Sequence, residues 1–259
     1  LKGRLIVLFL ILLTAACASV EKPPPSAVSR MDAGKAESLL ACIRKANEAM
    51  TPYKAIGRIG VDDDSGSWSV RAAWLGAPGG RFRVEAMGLA GQPFGKIICG
   101  PELCSFHFPE GGELRRRDTG RRSLGRLAGV DIDVDDLALL LGGGVPIADH
   151  DSVAAYRTLC GDPMLVLKKR FSGTVQHIRF STDPIRVREV EMFTWQGTAY
   201  RAEILAVRSA DERNMPSELQ ISDAEGHRLS VSVERCWADA AVPARAFSPE
   251  LPGNTDTAP

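Results

Sequence analysis

The sequence predicts a mainly β protein with few helices, organised around one long antiparallel sheet. Short β-prone runs such as "YKAIGRIGV", "WSVRAAWL" and "RFRVEAM" are separated by the turn-forming strings "DDDSGS", "GAPGG" and "GLAGQP". Helical periodicity shows in two places only, and about eleven or twelve strand-like runs fill the rest. The 259 residues at 44% hydrophobic content suffice for one large core. A sheet of that length must close, split into a sandwich or curl around something, with the helices as lids.

The chain opens with Lys2 and Arg4, an apolar run from Leu5 to Leu13, and the small residues Thr14, Ala15 and Ala16 before Cys17. That order is a secretory signal peptide over residues 1–16, because the run is far shorter than the roughly 20 residues a spanning helix needs. A cysteine directly after the small residues can be lipidated and become the mature N-terminus. "LTAAC" resembles a bacterial lipobox, which implies a lipid anchor at Cys17. Acyl chains worth about 0.8 kcal/mol per buried CH2 would then hold the protein on a membrane. Ala18 stands where lipoproteins kept in the inner membrane carry Asp, which implies the outer membrane and its periplasmic face. Residues 17–31, with three consecutive prolines in "EKPPPSAVSR", form a stiff tether.

The domain proper is predicted over residues 32–247. From Asp32 to Met50, Ala36, Leu39, Leu40, Ile43, Ala46 and Met50 recur at helical spacing, and Thr51-Pro52 ends the helix. The meander follows. Trp68, Val70, Ala72 and Trp74 share one face of their strand, while Phe82, Val84 and Ala86 alternate with Arg81, Arg83 and Glu85. One side of the sheet therefore faces something apolar. An arginine-rich segment, "ELRRRDTGRRSLGRL", interrupts the meander. A second helix is predicted over Val134–Leu141, with Asp133 or Asp135 capping its first turn and Gly142 in the left-handed position at its end. Six strand candidates come next, from "PMLVLKKRF" to "HRLSVSVE", and residues 248–259 form a disordered tail.

A formal net charge of +0 and a pI near 7.1 argue against nucleic acid as a partner. There is no GxSxG, HExxH or phosphate-cradling glycine loop, so no catalytic residue and no cofactor is assigned. His107, His150, His177 and His227 are scattered without metal-ligand spacing, and "DDDSG" reads as a turn. Cys42, Cys99, Cys104, Cys160 and Cys236 are odd in number, so at least one thiol stays unpaired. Cys99 and Cys104 flank a Gly-Pro turn where a hairpin could bring them within bonding range, and the register leaves that pairing open. Arg115, Arg116, Arg117, Arg121, Arg122 and Arg126 are either a solvated strand end and loop or a contact for anionic head groups or an acidic partner.

From "IGRIGV" to "IICGPELCSF", and again in "LALLLGGGVP", the sequence resembles the lipoprotein-localisation carriers LolA and LolB. The resemblance implies a curled antiparallel sheet forming an unclosed β-barrel with a helical lid. Its partners would be acyl chains of lipoproteins or other lipids, and a periplasmic LolA-like carrier. Trp68, Val70, Trp74, Phe82, Val84 and Ile97 are the expected cavity residues, and Leu137, Leu140 and Leu141 the expected lid. Leu89, in "MGLAGQP", matches the hydrophobic residue with which LolB takes its cargo. A non-enzymatic scaffold or sensor lipoprotein of an envelope complex is the alternative.

Overall fold

The computed structural model describes residues 27–88, 91–101, 103–110, 113–119, 123–125, 129–210 and 213–248. The signal segment, Cys17, Leu89, Arg121, Arg122, Arg126 and the tail from residue 249 lie outside the described residues.

In chain order the elements are β1 (Ala27–Arg30), α1 (Ala33–Glu48), β2 (Tyr53–Asp63), β3 (Gly66–Ala77), β4 (Arg81–Met87), β5 (Pro93–Cys99), β6 (Cys104–Glu110) and β7 (Glu113–Thr119). After these come α2 (Val134–Leu141), β8 (Ser152–Thr158), β9 (Pro163–Lys169), β10 (Gly173–Thr182) and β11 (Ile185–Thr194). The chain ends with β12 (Gly197–Ala210), β13 (Arg213–Ser222), β14 (Arg228–Trp237) and a 3-10 turn at Ala244–Phe247. All strands join one 14-stranded antiparallel sheet in the order β1-β8-β9-β10-β11-β12-β13-β14-β2-β3-β4-β5-β6-β7. Two meanders, β8 to β14 and β2 to β7, are thus fused along the β14–β2 seam.

The mainly β chain with few helices and an unclosed antiparallel sheet is as the sequence predicts. The curled, barrel-like form is not. The strands run as one open sheet without strong curl, and β1 and β7 end it as two separate edges. Alternation shows that one face is apolar but says nothing of how the sheet bends. Here the apolar face is covered by other elements: α1 lies against β8 and β9, and α2 against β3, β4 and β13. Such cover satisfies the hydrophobic face without closure, and open sheets of this size are sustainable.

Three strands lie where sequence reading placed none, β1, β7 and β8, the last over Ser152–Thr158. Residues 27–30, within the tether as read, pair with β8, and the arginine-rich residues 113–119 pair with β6. Helix α1 starts at Asp32, whose carboxylate accepts the Gly34 N–H at 2.7 Å, and buries Ala36, Leu39, Leu40 and Ile43. Ala46, expected on that face, is exposed.

Helix α2 spans the predicted residues with different ends. Asp133 occupies the N-cap position without a side-chain capping bond, and Gly142 is right-handed at φ −80. Gly143 takes the positive φ, 84°. Gly142 is needed for space instead, since a Cβ there would lie 2.8 Å from Cε1 of Tyr53. Tyr53, fully buried, donates its hydroxyl to Ala138 O at 2.5 Å. The strand after α2 is reached through a clipped segment. Asn47 bonds both the carbonyl and the amide of Val145, at 2.8 and 2.9 Å, and Gln176 bonds Pro146 O and the Ala148 N–H at 2.7 and 2.8 Å. Two amide side chains thereby stand in for a missing strand and satisfy a backbone that would otherwise be left unpaired.

Candidate functional site: an apolar cavity under the second helix

Between α2 and the sheet lies a cavity of about 960 Å3. It is near the top of the range of about 300–1,000 Å3 found for small-molecule sites. The alternation of β3 and β4 supplies its floor. Every second residue of a strand faces the same way, so Trp68, Val70 and Trp74 of β3 and Phe82 and Val84 of β4 all border it, joined by Ile97 of β5. Helix α2 contributes Leu137 and Leu141. Leu140 is fully buried but does not border the cavity, because it points to another side of the helix.

Sequence reasoning missed the far wall. Ile59 and Val61 of β2 and Leu229 and Val231 of β14 complete it, with Leu124. Leu229 pairs with Val61 and Val231 with Ile59 across the seam. Their own alternation marks them as apolar-face residues, but nothing local says that β14 lies beside β2. Trp68 is 47% exposed and stands at the rim with the exposed Arg58, Arg71 and Gln92. Arg71 is itself paired with Glu234 at 2.7 Å.

The polar side chains lining the cavity are Arg58, Ser69, Arg71, Gln92 and Lys96. Among the described residues that line it, none is a carboxylate or an imidazole. Trp74 is 1% exposed, and its indole N–H, itself sealed from the cavity, has no acceptor among the described residues.

Helix α2 is tied over the cavity by a second bond besides that of Tyr53. Tyr200 of β12 donates to Asp136 Oδ2 at 2.7 Å. Burial pushes the Asp136 carboxyl up, Tyr200's hydrogen bond opposes this, Asp133 and Asp135 add to it, and the result is about 6.

Cys99 and Cys104 form a disulfide with S–S 2.09 Å and Cα–Cα 4.1 Å at the closed end of the β5–β6 hairpin. Cys42 and Cys160 are exposed thiols and Cys236 is half-buried. Arg115, Arg116 and Arg117 sit on β7, opposite Phe108, His107 and Phe106. His107 and His177 are both buried strand positions. Among the described residues, Asp223, Glu225 and His227 bring metal-type ligand atoms within 4.8 Å of one another. Their geometry is that of a tight turn, in which Asp223 Oδ1 accepts the amides of residues 225, 226 and 227 while Oδ2 meets His227 Nδ1 at 2.7 Å.

Solved structures of other proteins share this fold over most of the chain. A LolA superfamily protein from Nitrosomonas europaea is 13% identical with a TM-score of 0.53, covering 81% of this chain and 97% of that one. An outer membrane lipoprotein-sorting protein domain from Vibrio parahaemolyticus is 9% identical with a TM-score of 0.56, covering 83% and 97%. A DUF1329 family protein from Desulfovibrio piger is 12% identical with a TM-score of 0.55, covering 84% and 98%. At these identities the likeness is one of fold. No protein-family model matches the sequence, and no curated protein matches it.

Proposed function

We propose that this protein is a lipid-anchored envelope protein, held at the outer membrane through Cys17, that binds acyl chains of lipoproteins or other lipids in the cavity under α2. The observation that carries the reading is the 960 Å3 apolar cavity. Burial of an alkyl chain there, at about 25 cal/mol per Å2 removed from water, supplies binding energy without a catalytic group. Exchange of cargo with a periplasmic LolA-like carrier belongs to the same reading, with Leu89 as the handover residue.

The test is native mass spectrometry with lipid extraction, joined to titration of the full chain with a fluorescent fatty acyl probe. The proposal expects a co-purifying lipid or saturable probe binding. Val84→Glu, which puts a charge into the wall, should abolish it. Wild-type protein that binds neither lipid nor probe ends the reading. For the anchor, Cys17→Ser should move the protein from the membrane to the soluble fraction.

A further inference from the structure

We infer that the two aromatic residues at the tips of the β9–β10 and β11–β12 hairpins, Phe171 and Trp195, dock the protein onto a lipid bilayer surface. Phe171 is 94% exposed and Trp195 is 89% exposed. Tight turns favour Gly, Asn, Asp, Pro and Ser, so neither ring is there to make its turn. A single exposed apolar residue means little, but these two are paired by topology. In an antiparallel meander alternate connections lie at one end of the sheet, and these two turns are two strands apart, about 10 Å. The same parity places the β4–β5 connection at that end. Gly88 and Gln92 of that connection border the cavity. The aromatic tips therefore lie at the same end of the strands as that connection.

The chemistry around the tips favours a lipid surface over a protein partner. Tryptophan and phenylalanine partition to the headgroup level, with a polar or basic margin in water. Phe171 follows Lys168, Lys169 and Arg170, and the Arg170 guanidinium lies 5.8 Å from its ring centre. Residues 193–198, "FTWQGT", carry no charge. Asp149 pairs with Lys169, and Asp151 accepts the Arg170 N–H, so the corner is only weakly basic and its attraction to anionic headgroups is small. The next turns at this end carry Asp223 with Glu225 and Asp62 to Asp64, which confines contact to the aromatic corner. Each ring stands on a projecting hairpin tip, a shape suited to insertion between headgroups.

The experiment uses the full chain with Cys17→Ser as its reference, so that no acyl anchor dominates partitioning, empty of cargo, on vesicles of phosphatidylethanolamine and phosphatidylglycerol with brominated acyl chains. Trp195 fluorescence is isolated as the difference between this reference and its Trp195→Phe variant. The expected result is a Trp195 signal quenched by the brominated chains, and partitioning about tenfold weaker in a Phe171→Ser, Trp195→Ser double variant. Both sites are exposed turns, so the variants should keep the wild-type unfolding midpoint. The opposite end is reported by a Leu159→Trp substitution in the Trp195→Phe background, because Leu159 is an exposed residue of the β8–β9 connection. An unquenched Trp195 overturns the inference, whether the protein stays in solution or binds another protein through this corner. Quenching of the Leu159→Trp reporter also overturns it, since the other end, or the whole sheet, then meets the bilayer. Because no cargo is present, failure here is distinct from failure of the cavity to bind acyl chains.

Discussion

Gly57 shows how one residue can hold the two meanders together. A Cβ at this position would lie 2.0 Å from Ser232 O of β14 and 3.0 Å from the Trp74 ring. The seam between β14 and β2, and the seat of a cavity residue, both depend on that missing methyl group. Gly57→Ala should destabilise the protein by about 2–3 kcal/mol in urea unfolding and lower acyl-probe affinity with it. Glu191 is a second single-residue control. It is buried, which opposes its ionisation, but hydrogen bonds from His177 and Arg201 at 3.2 and 2.9 Å, with their charges, more than offset burial and hold its carboxyl at about 2. A carboxyl lowered by folding contributes stability that is complete above its ordinary pKa and disappears as pH falls through the folded value. Stability should therefore drop between about pH 4.5 and pH 2, and Glu191→Gln should flatten that limb of a chemical-denaturation profile.

At the scale of elements, α2 is the part that makes a face into a cavity, and its two tyrosine bonds set how firmly it is held. Asp136 behaves oppositely to Glu191. Its folded pKa of about 6 lies above the ordinary value of 3.8, so its proton favours the folded state and stability from this group rises as pH falls from 6 towards 4. Asp136→Asn should remove that rise. Tyr200→Phe should cost about 1 kcal/mol and raise the Asp136 pKa further, since the lost hydrogen bond is the one influence lowering it. The β5–β6 hairpin has a covalent tie instead. Reduction of Cys99–Cys104, or Cys99→Ser with Cys104→Ser, should lower stability by roughly 2 kcal/mol, a small effect because the loop it closes is short. A calorimetric midpoint with and without reductant measures this.

For the whole molecule, the position of the cavity follows from the seam and not from either meander alone. Trp68, Val70 and Trp74 come from one meander and Leu229 and Val231 from the other, so a binding site exists only once β14 has paired with β2. Probe binding and global unfolding should accordingly coincide in a denaturant titration. A binding signal lost well before the sheet unfolds would mean that α2 detaches by itself.

Much of this was legible along the chain, for a physical reason. Strand and helix periodicity, the residues of α2 and the alternation of Trp68, Val70, Trp74, Phe82 and Val84 are fixed by neighbours a few positions away. The strands β1, β7 and β8 were illegible locally. The first is four residues long after a run of prolines, the second is rich in arginine, and the third carries two consecutive alanines, weak strand formers, so each is a strand because a partner accepts it. Gly142 and Gly143 exchanged their expected roles because Tyr53, far away in sequence, claims the space beside the first of them. By itself, the sequence determined which residues form an apolar face and which elements carry them. Only the tertiary structure decided that the sheet stays open under covering helices, that β14 supplies the opposite cavity wall, and that Phe171 and Trp195 share an end of the strands with the β4–β5 connection. These depend on strand order and on which edges meet, and such long-range pairings leave no periodic trace in the chain.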